Sequence, residues 1–359
     1  MKSIEYAPNS KDNALTNGLK HGETFKSDIN ELYAIRKDLL SGYLRRWTAD
    51  QIKDLAIDMV ETLKAYSLDY EEFRGISKAS GLEEWELMVL NNYTDMRDFW
   101  AGDDLDRNAD GCSVLSVRAG KTLICGQTWD MHASAQNYVL NIEIPKGEFP
   151  GASILTVTGC LGLAGVNDLG VSVLINNMHC RETSRGLMWS ALVRSMLREK
   201  TAKAGVGFLQ NSLPCSGHNY LICDHDETYN VETTGTRAVV TSHFNGNGVT
   251  FHTNHYVSDL NEVEILGRQS KTTFKRYDEL EKYFATTKIE SRGYDGIAQD
   301  ILSGEVLKSV CIDENPEKPH AAMTCGGLIY DYAAHRGEVF QGFYADGNRR
   351  PIQFTELKR

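Results

Sequence analysis

The stretch that most limits how this chain can fold runs from Gly111 to Asp130. Cys112 opens a mostly apolar or β-branched run through Val117, Arg118-Ala119-Gly120-Lys121 is polar with a glycine, and Thr122 to Gln127 runs back. This pattern predicts an antiparallel hairpin that lays Asp130 close to Cys112. A cysteine at the head of a strand, preceded by a flexible glycine and approached by a carboxylate, is what an N-terminal nucleophile needs. Attack of the thiol on the Gly111–Cys112 peptide would free an α-amine on the residue that carries the sulfur. A free α-amine titrates near pKa ~7.7–8.0 and can act as a base toward the thiol at neutral pH. One residue then supplies nucleophile and base, with Asp130 to orient the amine. The competing reading is a core cysteine, since Cys is among the most buried residue types.

Further motifs extend this reading along the chain. Gly111-Cys112-Ser113, Gly126-Gln127-Thr128-Trp129-Asp130, Gly165-Val166-Asn167-Asp168-Leu169-Gly170-Val171, His218-Asn219-Tyr220-Leu221 and His252-Thr253-Asn254-His255-Tyr256 follow one another in order. Together they resemble the acyl-coenzyme A:6-aminopenicillanate acyltransferase family, whose members are N-terminal-nucleophile amide hydrolases and acyltransferases. The resemblance runs from about Tyr33 to about Pro351. It implies a four-layer αββα sandwich, with the nucleophile at the start of an inner strand. It also implies self-cleavage at Gly111–Cys112, after which the upstream segment stays attached as the smaller subunit.

Asn254 matches the family's asparagine that stabilises the oxyanion; the competing reading is a turn asparagine bonding its own backbone. Asn176 and Asn177 stand where related hydrolases carry an active-site asparagine, and the sequence leaves the register between them open. His218, Asn219 and His255 are further candidates for the pocket wall. The chain departs from the family at Thr128, where asparagine is usual, and at Met131-His132, where a second aromatic is usual. The family's late active-site arginine is expected near His320-Ala321-Ala322-Met323-Thr324, which holds no arginine; either His320 or Arg336 takes its place, or the substrate differs.

The formal net charge of −11 argues against a nucleic-acid partner or an anionic membrane surface. Eight cysteines form no CxxC pair, which in a chain of 359 residues reads as reduced thiols rather than staples or a zinc site. No secretory signal or bilayer-spanning run is visible, so a cytoplasmic location is expected. Asp103, Asp104, Asp106 and Asp110 read as an exposed acidic loop without the spacing of a calcium site. No phosphate-binding loop or dinucleotide fingerprint is present, so neither a cofactor nor a metal is expected.

The order of elements reads as α+β, with helices covering antiparallel sheets. Residues 1–27 read as a flexible arm and 28–111 as a helical precursor segment. Within that segment Thr48, followed by Asp50 and Gln51, marks a helix start. Residues 112–359 read as the catalytic part, and the amphipathic pattern of 275–284 as one of its later helices. The expected function is a self-processing amide hydrolase that passes through an S-acyl enzyme. Its substrate would be a small N-acyl amide or peptide-like molecule, or a thioester, with its own cleaved segment as a subunit and homo-oligomerisation as a further expectation. Acyl transfer to an amine is the runner-up. Two readings stand behind these: a papain-like thiol enzyme using His218, His252 or His255, and an uncut silent relative serving as a binding or scaffold protein.

Overall fold

The computed structural model describes residues 1–43, 47–99, 111–311, 321–352 and 354. The chain opens with β1 (Lys2–Glu5) and five helices, α1 (Lys11–Thr24), α2 (Lys26–Tyr43), α3 (Ala49–Lys64), α4 (Ser67–Ser80) and α5 (Glu84–Met96). The hairpin β2 (Gly111–Ala119) and β3 (Thr122–His132) follows, then β4 (Val139–Ile144), β5 (Ala152–Val157), β6 (Ala164–Asn167) and β7 (Ser172–Asn177). Two helices, α6 (Trp189–Met196) and α7 (Ala202–Asn211), lead into β8 (His218–Cys223), β9 (Thr228–Thr233), β10 (Ala238–Phe244) and β11 (Gly248–His252). Helices α8 (Thr273–Thr286) and α9 (Gly293–Ile297) precede β12 (Ala322–Asp331), β13 (Arg336–Gln341) and β14 (Arg349–Ile352).

The strands form two sheets, ordered β1-β4-β5-β6-β7-β8-β9-β10 and β11-β2-β3-β12-β13-β14. Alternation assigns the faces. From β2, Cys112 and Val114 join the core between the sheets, whereas Leu115 and Val117 pack with Leu280, Tyr283 and Ile297 of α8 and α9. Helices α1 to α7 cover the outer face of the eight-stranded sheet. The chain is therefore the four-layer αββα sandwich that the resemblance implies.

The capping signal at Thr48 is realised: its side chain accepts from the Gln51 N–H, and the Gln51 side chain accepts in return from the Thr48 N–H. The expected flexible arm is not. Residues 2–5 form a strand parallel to β4, and α1 crosses α4 in the first helical layer. The buried face of α1 is Ala14, Asn17, Gly18, His21 and Gly22, which lacks the large apolar residues that reveal a helix in sequence. It is buried because the backbones nearly touch: a Cβ on Gly18 would lie 2.0 Å from the Glu72 carbonyl oxygen, and one on Gly75 2.5 Å from that of Leu15.

Buried polar bonds tie this first segment to the rest. Arg194 of α6 pairs with Glu72 at 2.5 Å, and Asp69 receives Ser195 Oγ at 2.8 Å together with Arg198. His21 accepts from the Gly159 N–H at 2.9 Å, and its other ring nitrogen faces the Tyr6 hydroxyl at 2.8 Å. Among the described residues no disulfide is formed, and no helix is long and apolar enough to cross a membrane.

Candidate active site

The β2–β3 hairpin has the register expected from its turn: Gly111 faces Asp130 and Cys112 faces Trp129. Directly opposed residues share a face of the sheet. Cys112 and Trp129 therefore turn toward the sandwich interior, and Asp130 lies on the α8 face beside Gly111. The Asp130 carboxylate is fully buried and accepts the Thr324 hydroxyl at 2.7 Å.

On the other side of β2, β11 pairs with residues 114–118 and delivers the turn that follows it to the head of the strand. There the Cys112 N–H donates to Asn254 Oδ1 at 2.8 Å. The Asn254 carboxamide nitrogen donates to the Asn177 carbonyl at 2.9 Å, and the Asn254 N–H donates to Thr273 Oγ1 at 2.8 Å. Asn254 is therefore bonded to the Cys112 nitrogen rather than to its own neighbouring backbone.

The open register at 176–177 resolves through strand alternation. Asn176 points into the interior, where its amide donates to the Cys112 carbonyl at 3.0 Å, and Asn219 on the neighbouring strand donates to Asn176 Oδ1 at 3.0 Å. Asn177 contributes its backbone carbonyl instead. His218 is opposed to Asn177 and so faces the helical layer, away from Cys112. There it lies 3.5 Å from Asp95 and near Trp189, and burial drives its pKa down to about 3. His218 is therefore removed as a pocket residue or base. His255 meets Thr273 Oγ1 at 2.9 Å and packs on Phe274, with burial, then His252, lowering it to about 4. Its hydrogen bonds join the turn to the start of α8.

The sequence reading missed Arg276. This side chain comes from the first turns of α8, is fully buried and reaches both β2 and the turn after β11. One terminal nitrogen donates to the Cys112 carbonyl at 2.5 Å and to Ser113 Oγ at 3.0 Å. The other donates to Asn254 Oδ1 at 2.7 Å and Ser270 Oγ at 3.2 Å, while Nε meets Thr272 Oγ1 at 3.0 Å. Burial lowers its pKa, opposed by the charges of Asp130 and Cys112. The arginine that reaches Cys112 thus comes from α8, earlier in the chain than the stretch near residue 320 where one was sought. Arg336, by contrast, is half exposed at the start of β13, near Asp331 and Asp295. His320 lies outside the described residues.

Asn254 Oδ1 is therefore a common acceptor for the Cys112 nitrogen and a buried cation, and the Cys112 carbonyl is clamped by Asn176 and Arg276. Two surface cavities, one around Arg118, Asp224 and Glu227 and one around Glu143, Asp168 and Arg350, lie away from this centre. Among the described residues no cluster of His, Cys, Asp and Glu is arranged to hold a metal ion.

Comparison with known proteins bears on the family. The family described as acyl-coenzyme A:6-aminopenicillanic acid acyl-transferase matches residues 117–303. That span includes Asp130, Asn176, Asn254 and Arg276 and begins just after Cys112. The acyl-coenzyme A:6-aminopenicillanic-acid-acyltransferase 40 kDa form of Emericella nidulans is 26% identical over 186 residues, 52% of this chain and 50% of that protein. The chain thus spans about half the length of that curated relative. Solved structures to which the chain is similar include penicillin V acylase from Agrobacterium tumefaciens, 9% identical with a TM-score of 0.39, covering 64% of this chain and 82% of that one. A mutant of conjugated bile acid hydrolase from Clostridium perfringens is 14% identical with a TM-score of 0.48, covering 68% and 93%. With just over half of its length matched by the family model, the chain belongs to the acyl-coenzyme A:6-aminopenicillanic acid acyl-transferase family.

Proposed function

We propose that the protein is a self-processing amide hydrolase whose nucleophile is Cys112. The observation that carries this reading is the Cys112 N–H bond to Asn254 Oδ1, with Asp130 opposite Gly111. In the uncut chain that nitrogen is a peptide amide and can only donate. Once freed, the same nitrogen is an amine already held against an amide oxygen, one residue along the strand from the position opposite a buried carboxylate, and both groups favour an ammonium that can return its proton.

In processing, Cys112 Sγ attacks the Gly111 carbonyl carbon, the Gly111–Cys112 C–N bond breaks, and the nitrogen leaves as the α-amine. Water then hydrolyses the Gly111 thioester, leaving a Gly111 carboxylate and the free thiol. In turnover, the amine takes the thiol proton, the thiolate attacks the substrate's acyl carbon, and the ammonium gives that proton to the departing amine. Water cleaves the S-acyl enzyme. The second N–H of the Asn254 carboxamide is the candidate donor to the developing oxyanion, where one preorganised donor is worth roughly a hundred- to thousandfold in rate. Arg276 holds Asn254 and the Cys112 carbonyl in register and favours a thiolate through its charge.

The family description supports a second reading, in which an amine takes the acyl group in place of water. Intact mass of the denatured protein, beside Cys112→Ala, tests the first step. Two fragments meeting at Gly111/Cys112 and lost in the variant are expected, whereas one inert uncut chain would favour a silent relative. Turnover of N-acyl amides without added amine separates hydrolysis from transfer.

A further inference from the structure

We infer that Glu232 is the positioning residue for Asn254: its carboxylate ties both ends of the turn 252–258 to the eight-stranded sheet and so fixes where the Asn254 amide meets Cys112. The inference rests on the hydrolase reading above.

Glu232 lies on β9 with no exposed surface. One carboxylate oxygen meets His252 Nε2 at 2.8 Å and accepts the Val257 N–H at 2.6 Å. The other accepts the Ser258 N–H at 3.1 Å and the Ser258 hydroxyl. His252 ends β11, in the opposite sheet, and Val257 and Ser258 close the turn, so one side chain joins the two sheets and both ends of the loop. The second ring nitrogen of His252 faces the Thr253 carbonyl at 2.8 Å, which can only accept. The ring therefore donates through Nδ1, and a proton lies on the line between Nε2 and Glu232.

All the bonds Glu232 can accept go to the turn, which leaves it none for a substrate or a metal. Asn254 sits between the two tied ends, held at its own N–H by Thr273, the residue that begins the helix carrying Arg276. Thr273 fixes the height of Asn254 above α8, and Glu232 fixes the turn against the sheets. A carboxamide in place of the carboxylate keeps the volume but sets an NH2 group against either the Val257 N–H or the Ser258 donors. One end of the turn is then released.

The test uses the full chain carrying Glu232→Gln, with Ser258→Ala as a milder variant that removes one donor near the surface. Hydrogen exchange by mass spectrometry should show the 253–258 amides exchanging at least about tenfold faster, with β2 unchanged. For N-acyl amides that the wild type turns over, kcat should fall about ten- to a hundredfold while KM stays within about twofold. Ser258→Ala should move both quantities the same way by a smaller factor. Wild-type exchange in the turn, or faster exchange with wild-type kcat, overturns the inference. If Glu232→Gln does not fold, wild-type behaviour of Ser258→Ala overturns it. A wild type that is neither cut nor active defeats the hydrolase reading, and the exchange measurement still decides whether Glu232 holds the turn.

Discussion

Replacing Arg276 by lysine keeps a cation at the site and removes the fork that joins its parts. The guanidinium spans two acceptors, the Cys112 carbonyl at 2.5 Å through one nitrogen and Asn254 Oδ1 at 2.7 Å through the other. An ammonium is a point donor on a flexible stem and cannot hold both in this geometry. A hydrogen bond to a charged group contributes about 1.5–3 kcal/mol. Losing one of the two from the reacting arrangement therefore slows processing and turnover by roughly 10- to 150-fold. Stability should change less, because the charge beside Asp130 is kept. Arg276→Met removes that charge together with the hydrogen bonds to Cys112, Ser113, Asn254, Ser270 and Thr272, and should destabilise the fold by about 1–3 kcal/mol or more, the cost of leaving buried acceptors unsatisfied. The assay is the time course of cleavage by intact mass, then kcat/KM on an N-acyl amide, beside urea unfolding. Wild-type cleavage and kcat/KM within about twofold for Arg276→Lys would refute the fork argument.

Cys112→Ala should remain a single chain without activity, and Cys112→Ser should cut slowly because a hydroxyl is the poorer nucleophile; rapid cutting of the alanine variant would place the nucleophile elsewhere. Asp130→Asn should impair cutting, turnover or both, and normal rates for each would remove the carboxylate from the mechanism. His21 is neutral in the fold, with burial, then Arg194, holding its pKa down to about 3. Its ordinary value is near 6.5, so the unfolded chain takes the proton first and stability is lost as pH falls below that value. The loss from this group should be about 2 kcal/mol between pH 7 and pH 5. Urea unfolding at the two values should show a shallower pH slope in His21→Gln, whose carboxamide oxygen can still accept from Gly159; an unchanged slope would contradict the assignment.

The parts of the site readable in the sequence are those fixed by local pairing. The turn at 118–121 set the hairpin register, and the register put Asp130 beside Gly111. Asn254 was reached through the motif around it. The choice between Asn176 and Asn177 was not readable, because a one-residue shift in register exchanges the two faces of a strand. The same alternation turned His218 away from Cys112. Arg276 had left a trace: Thr273, Arg276, Leu280 and Tyr283 are the buried stripe of α8, and an arginine on an apolar stripe marks a buried charge. Its acceptors come from residues far away in the chain, so only the fold reveals what it holds. Residues 1–27 misled for the opposite reason. A helix interface made of glycine, asparagine and histidine has no hydrophobic periodicity to read, although its backbone contact is close.

The parallel pairing of β1 with β4 determines how the molecule would fail once cut. A chain severed behind Gly111 leaves the first strand of the larger sheet and helices α1 to α5 on one polypeptide and every other strand on another, with one core shared between them. Opening that core is a first-order event, but closing it again is an encounter between two molecules and slows with dilution. The mature protein would then owe its lifetime to the height of the barrier to opening rather than to an equilibrium it can re-enter. Inactivation by heat would depend on duration as much as on temperature.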